Sequence, residues 1–158
     1  MNIVVRRAKP EELRTIQELN RLLFESDSPR DPNLNLNWPH EDGEEYFRKR
    51  IADNDCLCLV AEVDGKIVGY LAGAIREGES WRPVKRTELE NMFVKEDSRS
   101  KGVGAKLVQE FFNWSRDQGA ERALVVVYAT NERATEFYEK MGFVRESINL
   151  EADLTTRP

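Results

Sequence analysis

Arg99-Ser100-Lys101-Gly102-Val103-Gly104 decides the reading of this chain, because of what stands on either side of it. Before it comes Leu89-Glu90-Asn91-Met92-Phe93-Val94, a strand-like run. After it, residues 105–118 carry apolar side chains at Leu107, Val108, Phe111, Phe112 and Trp114, the spacing of a helix. A strand that runs through a glycine-containing turn into a helix presents free backbone N–H groups and the positive end of a helix dipole to an anion. Glycine lets the backbone approach a bulky phosphate with no Cβ in the way. A diphosphate suits this geometry best.

Two common phosphate loops do not fit. A P-loop needs Gly followed by Lys and then Ser or Thr, and here Gly104 is followed by Ala105. The dinucleotide fingerprint needs a small residue three after its second glycine, where this chain has Leu107. Arg-x-x-Gly-x-Gly behind a strand that carries an acid instead resembles the acyl-CoA loop of the GNAT superfamily of N-acyltransferases. Residues 131–143 read N-E-R-A-T-E-F-Y-E-K-M-G-F, and the ending Tyr138-x-x-x-Gly142-Phe143 is similar to that family's last helix. One helix and one strand fill the interval from Gly104 to Tyr138, as in the family. The resemblance is strong over residues 89–143 and weaker, though compatible in element order, over 3–75. Many relatives place an aromatic before the arginine and a glycine after it; this chain has Ser98 and Ser100. That change keeps the backbone donors and bears on cofactor affinity.

The resemblance implies an N-acetyltransferase that passes an acetyl group from acetyl-CoA to a primary amine of a small molecule or peptide, by direct attack in a ternary complex. It also implies that the strand before the loop and the next parallel strand splay apart to admit the pantetheine arm. Met92, Phe93 and Val94 would then line the arm, with backbone N–H groups near Phe93 or Val94 receiving the carbonyl oxygen. The loop itself, Arg99, Ser100, Lys101, Gly102, Val103, Gly104 and Ala105, would hold the pyrophosphate, and Asn131 and Ala134 would touch the arm from the last helix. Glu90 is the candidate base and Tyr138 the candidate donor to the leaving thiolate. Glu88 shares the face of Glu90 by strand alternation and is its substitute.

Each of these residues also has a plainer reading. Glu90 can be a strand carboxylate facing solvent, Tyr138 a core aromatic, Asn131 a helix N-cap, and Arg99 with Lys101 a solvated basic turn. A non-catalytic acyl-CoA-binding sensor is the alternative to the enzyme, and dimers are common enough in the family to allow a homodimer.

Composition sets outer limits. The 158 residues suit a single domain, 1–158, and 40% hydrophobic with 34% charged residues is ordinary for a globular protein. A net charge of −5 argues against a nucleic-acid partner. No apolar run approaches membrane-helix length, and the apolar segment near Met1 is too short for a signal peptide, so no membrane partner and a cytoplasmic location are expected. Cys56 and Cys58 fall on one face of a strand without further Cys or a nearby His, which reads as buried thiols and no metal site. Glu25, Asp27, Asp31, Glu41, Asp42, Glu44 and Glu45 crowd one segment against Arg30, either as a solvated surface or as a field that draws a cationic acceptor such as a polyamine, an aminoglycoside or a protein N-terminus.

Periodicity fills in the remaining elements of an α/β fold: a central, twisted mixed sheet with helices on both faces. A strand is expected over 3–7, and a helix opens at Lys9-Pro10-Glu11-Glu12 with Leu13, Ile16, Leu19, Leu22 and Leu23 inward. Residues 28–39 form a loop and 41–51 a short helix. Strands 56–63 and 66–75 flank the hairpin turn Asp64-Gly65, and another strand covers 87–94. The nearly all-apolar run 122–129 is expected as the buried centre of the sheet, and residues 143–154 as one or two closing strands.

Overall fold

Asp64 and Gly65 both adopt positive φ, 50° and 82°, as a tight hairpin turn demands, and from that turn the sheet is built outward. The computed structural model describes residues 1–157. In chain order the elements are β1 (Ile3–Arg7), α1 (Leu13–Asp27), α2 (Gly43–Ala52), β2 (Cys56–Val63), β3 (Lys66–Arg76), β4 (Arg86–Val94), α3 (Val103–Asp117), β5 (Arg122–Val125) and α4 (Glu132–Lys140). The strands lie in the order β1-β2-β3-β4-β5. All neighbours are antiparallel except β4 and β5, which run parallel and are joined through α3.

Strand alternation splits the apolar residues into two cores. Leu57, Leu59, Leu71, Leu89 and Val94 face α3, which contributes Val103, Leu107, Val108, Phe111 and Trp114; Phe137 and Tyr138 of α4 and Met141 just after it pack beside them. Cys58, Val60, Tyr70 and Phe93 face the other way, onto Leu13, Ile16 and Leu19 of α1 and Phe47 of α2. Each fully buried Leu, Ile or Phe contributes about 1.5–3 kcal/mol. Both cysteines are buried and unpaired, and burial pushes their thiols up, to about 11 for Cys56 and about 12 for Cys58.

Two local features of β4 shape everything downstream. Ala72 pairs with Asn91 but Gly73 pairs with Leu89, so Glu90 is an extra residue bulged out of the ladder. On the other side, pairing with β5 runs only from Arg86 to Leu89. Beyond Leu89 no further pairing joins the two parallel strands, as the splay that the resemblance implied would require.

The C-terminal part departs from the sequence reading. The strand expected over 122–129 ends at Val125 and lies at the sheet's edge, with Val126 77% exposed. Residues 143–154 form no strand, and Val144, Ile148, Leu150 and Leu154 are exposed. The first misreading has a clear cause: an apolar run becomes the centre of a sheet only if something pairs with its outer side, and here nothing among the described residues does. No helix among them is long and apolar enough to cross a membrane.

Gly73 tests the bulge. A Cβ there would meet the Glu88 carbonyl oxygen at 2.8 Å and the Phe111 ring at 3.1 Å. Gly73→Ala is therefore expected to destabilise the protein by about 1–3 kcal/mol, read from its urea midpoint. An unchanged midpoint would mean that β3 and β4 are less closely apposed than this geometry requires.

Candidate active site

The loop between β4 and α3 forms as its glycines require. Ser100 and Gly102 take positive φ, 60° and 89°, and no atom lies within 4 Å of a Cβ built on Gly102. Intrahelical bonding starts when the Lys106 N–H reaches the Gly102 carbonyl at 3.1 Å. The backbone N–H groups of residues 100–105 find no acceptor among the described residues. They form a concave row of donors at a helix N-terminus, which fits an anionic group such as a pyrophosphate.

The side chains of the same loop are spent at home. Arg99 Nε donates to the Val94 carbonyl at 2.8 Å and its guanidinium lies over the Phe93 ring at 5.1 Å, while Lys101 Nζ donates to the Asp97 carbonyl at 2.7 Å. Arg133, in the first turn of α4, brings a different cation to the loop, 3.5 Å from Ser100 Oγ. Gly104 also serves packing. A Cβ there would sit 3.3 Å from Phe137 and 3.9 Å from Met92, so its missing side chain makes room for an α3–α4 contact.

Behind the loop lies the gap between β4 and β5. The Lys95 N–H goes to the Val68 carbonyl of β3 at 2.8 Å, and alternation sends that of Phe93 the same way. The N–H groups of Met92 and Val94 consequently point toward the gap. Tyr138 reaches the neighbourhood from α4, its ring held edge-on by Phe137 at 5.1 Å and Phe143 at 5.6 Å. No group among the described residues hydrogen-bonds its hydroxyl. Burial, and then the charge of Asp27, push its phenol up, so the proton stays on oxygen. Asn131 Oδ1 accepts from the Ala134 N–H at 3.2 Å, the cap of α4.

Glu90 and Glu88 share one face, as alternation predicts, and the bulge adds Asn91 to it. Glu90 is 11% exposed and fully engaged. Its Oε1 accepts from Tyr46 at 2.9 Å and Arg50 at 2.6 Å; its Oε2 accepts from Arg50 at 3.0 Å and Arg76 at 2.8 Å. Burial alone would raise this carboxyl, but the hydrogen bonds and charge of Arg50, helped by Tyr46 and Arg76, outweigh it and hold the group below its ordinary range. Arg76 also takes Glu88 at 3.1 Å. From Glu90 a chain of bonds continues inward: Asn91 donates to Tyr46, Tyr70 to Asn91, and Asn20 to Tyr70. Sequence reasoning missed Tyr46, Arg50, Arg76 and Asn91, since only tertiary folding joins α2, β3 and β4 here and no spacing announces it.

Comparison with known proteins gives the family. The Acetyltransferase (GNAT) family matches residues 16–143. An uncharacterized N-acetyltransferase of Archaeoglobus fulgidus is 30% identical over 66% of this chain and 71% of its own. An N-alpha-acetyltransferase of Sulfurisphaera tokodaii is 28% identical over 88% of this chain and 78% of its own. The structure of AAC(6')-Iy with the bisubstrate analogue CoA-S-monomethyl-acetylneamine superposes with a TM-score of 0.75 at 16% identity, covering 97% of this chain and 99% of that one. The chain belongs to the GNAT acetyltransferase family and is an acetyl-CoA-dependent acetyltransferase.

The Glu90 cluster yields a test of its own. Glu90→Gln leaves Arg50 buried without its counter-ion, and a loss of about 3 kcal/mol is expected. Because the folded carboxyl titrates below its ordinary value of about 4.5, its contribution is present above that pH and is lost as pH falls through the lower, folded value. The stability difference between wild type and variant should be full near neutrality and shrink below about pH 4.5. Denaturation curves showing a constant difference down to pH 3 would contradict this.

Proposed function

We propose that this acetyltransferase moves an acetyl group from acetyl-CoA onto a primary amine, in one ternary complex and without a covalent enzyme intermediate. The observation that carries the reading is the row of unpaired amides over residues 100–105, set at the mouth of a gap that opens where β4 and β5 part. The pyrophosphate would sit on that row and the pantetheine arm, passing Asn131 and Ala134, would enter the gap.

Three chemical demands then fall to three kinds of group. A free alkylamine with a pKa near about 10.4 is neutral in only about one molecule per thousand at pH 7, so its proton needs an acceptor. The thioester oxygen gains charge on attack, and the Met92 and Val94 amides supply donors worth about 2.7–4 kcal/mol each when preorganised. The thiolate leaves, and Tyr138 offers it a hydrogen bond from a hydroxyl that is otherwise unpartnered. We read Glu90 as a positioning carboxylate and not as the base: its lone pairs are taken, and the low range in which Arg50 holds it makes it a weak proton acceptor.

The acidic segment that ends α1 supports a cationic acceptor. So do the neamine portion of the analogue bound by AAC(6')-Iy and the activity named for the Sulfurisphaera relative, both amine acetylations. Trp38 belongs to packing, stacked on Phe24 at 5.6 Å, and Trp81 is exposed.

Ala105→Asp separates binding from folding. A carboxylate in the first turn of α3 favours the helix dipole by about 0.3–1 kcal/mol yet repels a phosphate held by the same amides. Unchanged or raised melting temperature with at least about tenfold weaker acetyl-CoA binding by calorimetry is expected, since even one charge repulsion at an effective dielectric of 20 exceeds that. Equal affinity would remove the pyrophosphate from this loop. Tyr138→Phe should lower turnover at saturating acetyl-CoA while leaving its affinity intact, followed by thiol release with an amine panel. Tight binding with no amine-dependent release would favour the sensor.

A further inference from the structure

With Glu90 enclosed, the proton of the acceptor amine needs another destination. The last turn of α1 and the segment after β5 wall a cleft of about 450 Å³, lined by Ser26, Pro29, Arg30 and Thr130. Tyr128 ties the two walls together, donating to Asp31 Oδ2 at 2.9 Å. Asp27 lies in that last turn, on the helix face that buries Ile16 and Asn20. Its side chain is 19% exposed, its one ionic contact is Arg30 at a loose 3.6 Å, and no N–H or O–H of the described residues donates to its carboxylate. The C-terminal end of the α1 dipole adds negative potential at the same place.

A carboxylate so placed is short of partners. Half-burial without hydrogen bonds is costly for an anion, and an ammonium group would supply both the charge and the donors. The charge of Asp27 interacts with Arg30, Asp31, Tyr70, Tyr128 and Tyr138, and the three phenols are all pushed up and so keep their protons. Burial raises the Asp27 carboxyl against the pull of Arg30, with Asp31 adding to the rise, which makes it a better base than an ordinary carboxylate. Its charge is also felt at Tyr138, so base and thiolate partner share one poorly screened neighbourhood.

We propose that the Asp27 carboxylate receives the acceptor amine and takes its proton as the new N–C bond forms, an inference that rests on the amine-transfer reading above. The ammonium form drawn to Asp27 first gives one proton to solvent, and attack by the resulting neutral amine forms the N–C bond and breaks the C–S bond, whose electron pair leaves on sulfur. The nitrogen's proton passes to Asp27 and from there to the thiolate, so amide and free CoA thiol balance amine and acetyl-CoA. The negative end of α1 would thereby select acceptors that carry positive charge.

The test follows thiol release from acetyl-CoA with spermidine, neamine and a short peptide bearing a free N-terminus. Wild type is compared with Asp27→Asn, Asp27→Glu and Arg30→Ala, each checked for acetyl-CoA affinity and melting temperature. Asp27→Asn should lower kcat/KM by about 100-fold or more, through kcat as well as KM, with acetyl-CoA affinity unchanged, and Asp27→Glu should recover part of the loss. Removing the competing cation in Arg30→Ala should lower the KM for a cationic acceptor, which decides the matter if Asp27→Asn does not fold. An active wild type with Asp27→Asn within about threefold of it, or equal losses in the Asn and Glu variants, overturns the role of Asp27 while the transfer reading stands. A wild type that binds acetyl-CoA and acetylates none of the three overturns both.

Discussion

A β-strand can satisfy its backbone on two sides, and β4 does so only as far as Leu89. From that residue on, one row of its N–H and C=O groups faces the gap instead of a neighbouring strand. Leaving such groups unpaired in a dry interior costs about as much as a lost hydrogen bond each, so the gap is held open against a standing tendency to close. What holds it is largely apolar. Val103, Leu107, Val108 and Phe111 anchor α3 on the face of the sheet, and the helix starts where the diverging strands leave room for its N-terminus. The row of donors over residues 100–105 and the open edge of β4 are thus two results of one interruption.

That interruption also sorts the charges. Because Glu90 is the bulged residue, Glu90 and Asn91 both turn to the α1–α2 face, where alternation would have put only one. Two neighbouring polar side chains on a packed face need partners, and Arg50, Arg76, Tyr46 and Tyr70 provide them. A carboxylate satisfied so completely stabilises the wall it belongs to and has little left for chemistry. Asp27 is the opposite case, enclosed enough to feel its surroundings yet short of donors. Motif position would rank Glu90 above Asp27; the proposed role of Asp27 rests on the reverse order in hydrogen-bond supply.

How much of this could be read from residues alone follows from what each signal measures. Helix α3, the hairpin at Asp64-Gly65 and the loop at Gly102 were legible because periodicity, turn chemistry and positive φ are local properties. The partners of Glu90 were not, since Arg50 and Arg76 reach it from α2 and β3 through the fold and no spacing encodes a bulge. The run after Arg122 failed differently. Leu124-Val125-Val126-Val127 reports affinity for apolar surroundings but not whether a strand pairs on its far side, and Val126 ends exposed. Residues 143–154 were expected as one or two closing strands and form none.

Gly104 shows that a motif residue can serve packing as well as the ligand that made the motif recognisable. Its absent side chain accommodates Phe137, and Met92 of β4 completes the contact from the sheet. Phe137 is the neighbour of Tyr138 in α4, and its ring sits edge-on against the phenol at 5.1 Å. One apolar junction therefore fixes three things together: where α3 begins, how α4 lies against the sheet, and where the Tyr138 hydroxyl points. Interiors packed this closely pass small displacements on instead of absorbing them. The donor row and the hydroxyl are accordingly two ends of one rigid unit, and a side chain added at Gly104 would disturb both without touching a phosphate.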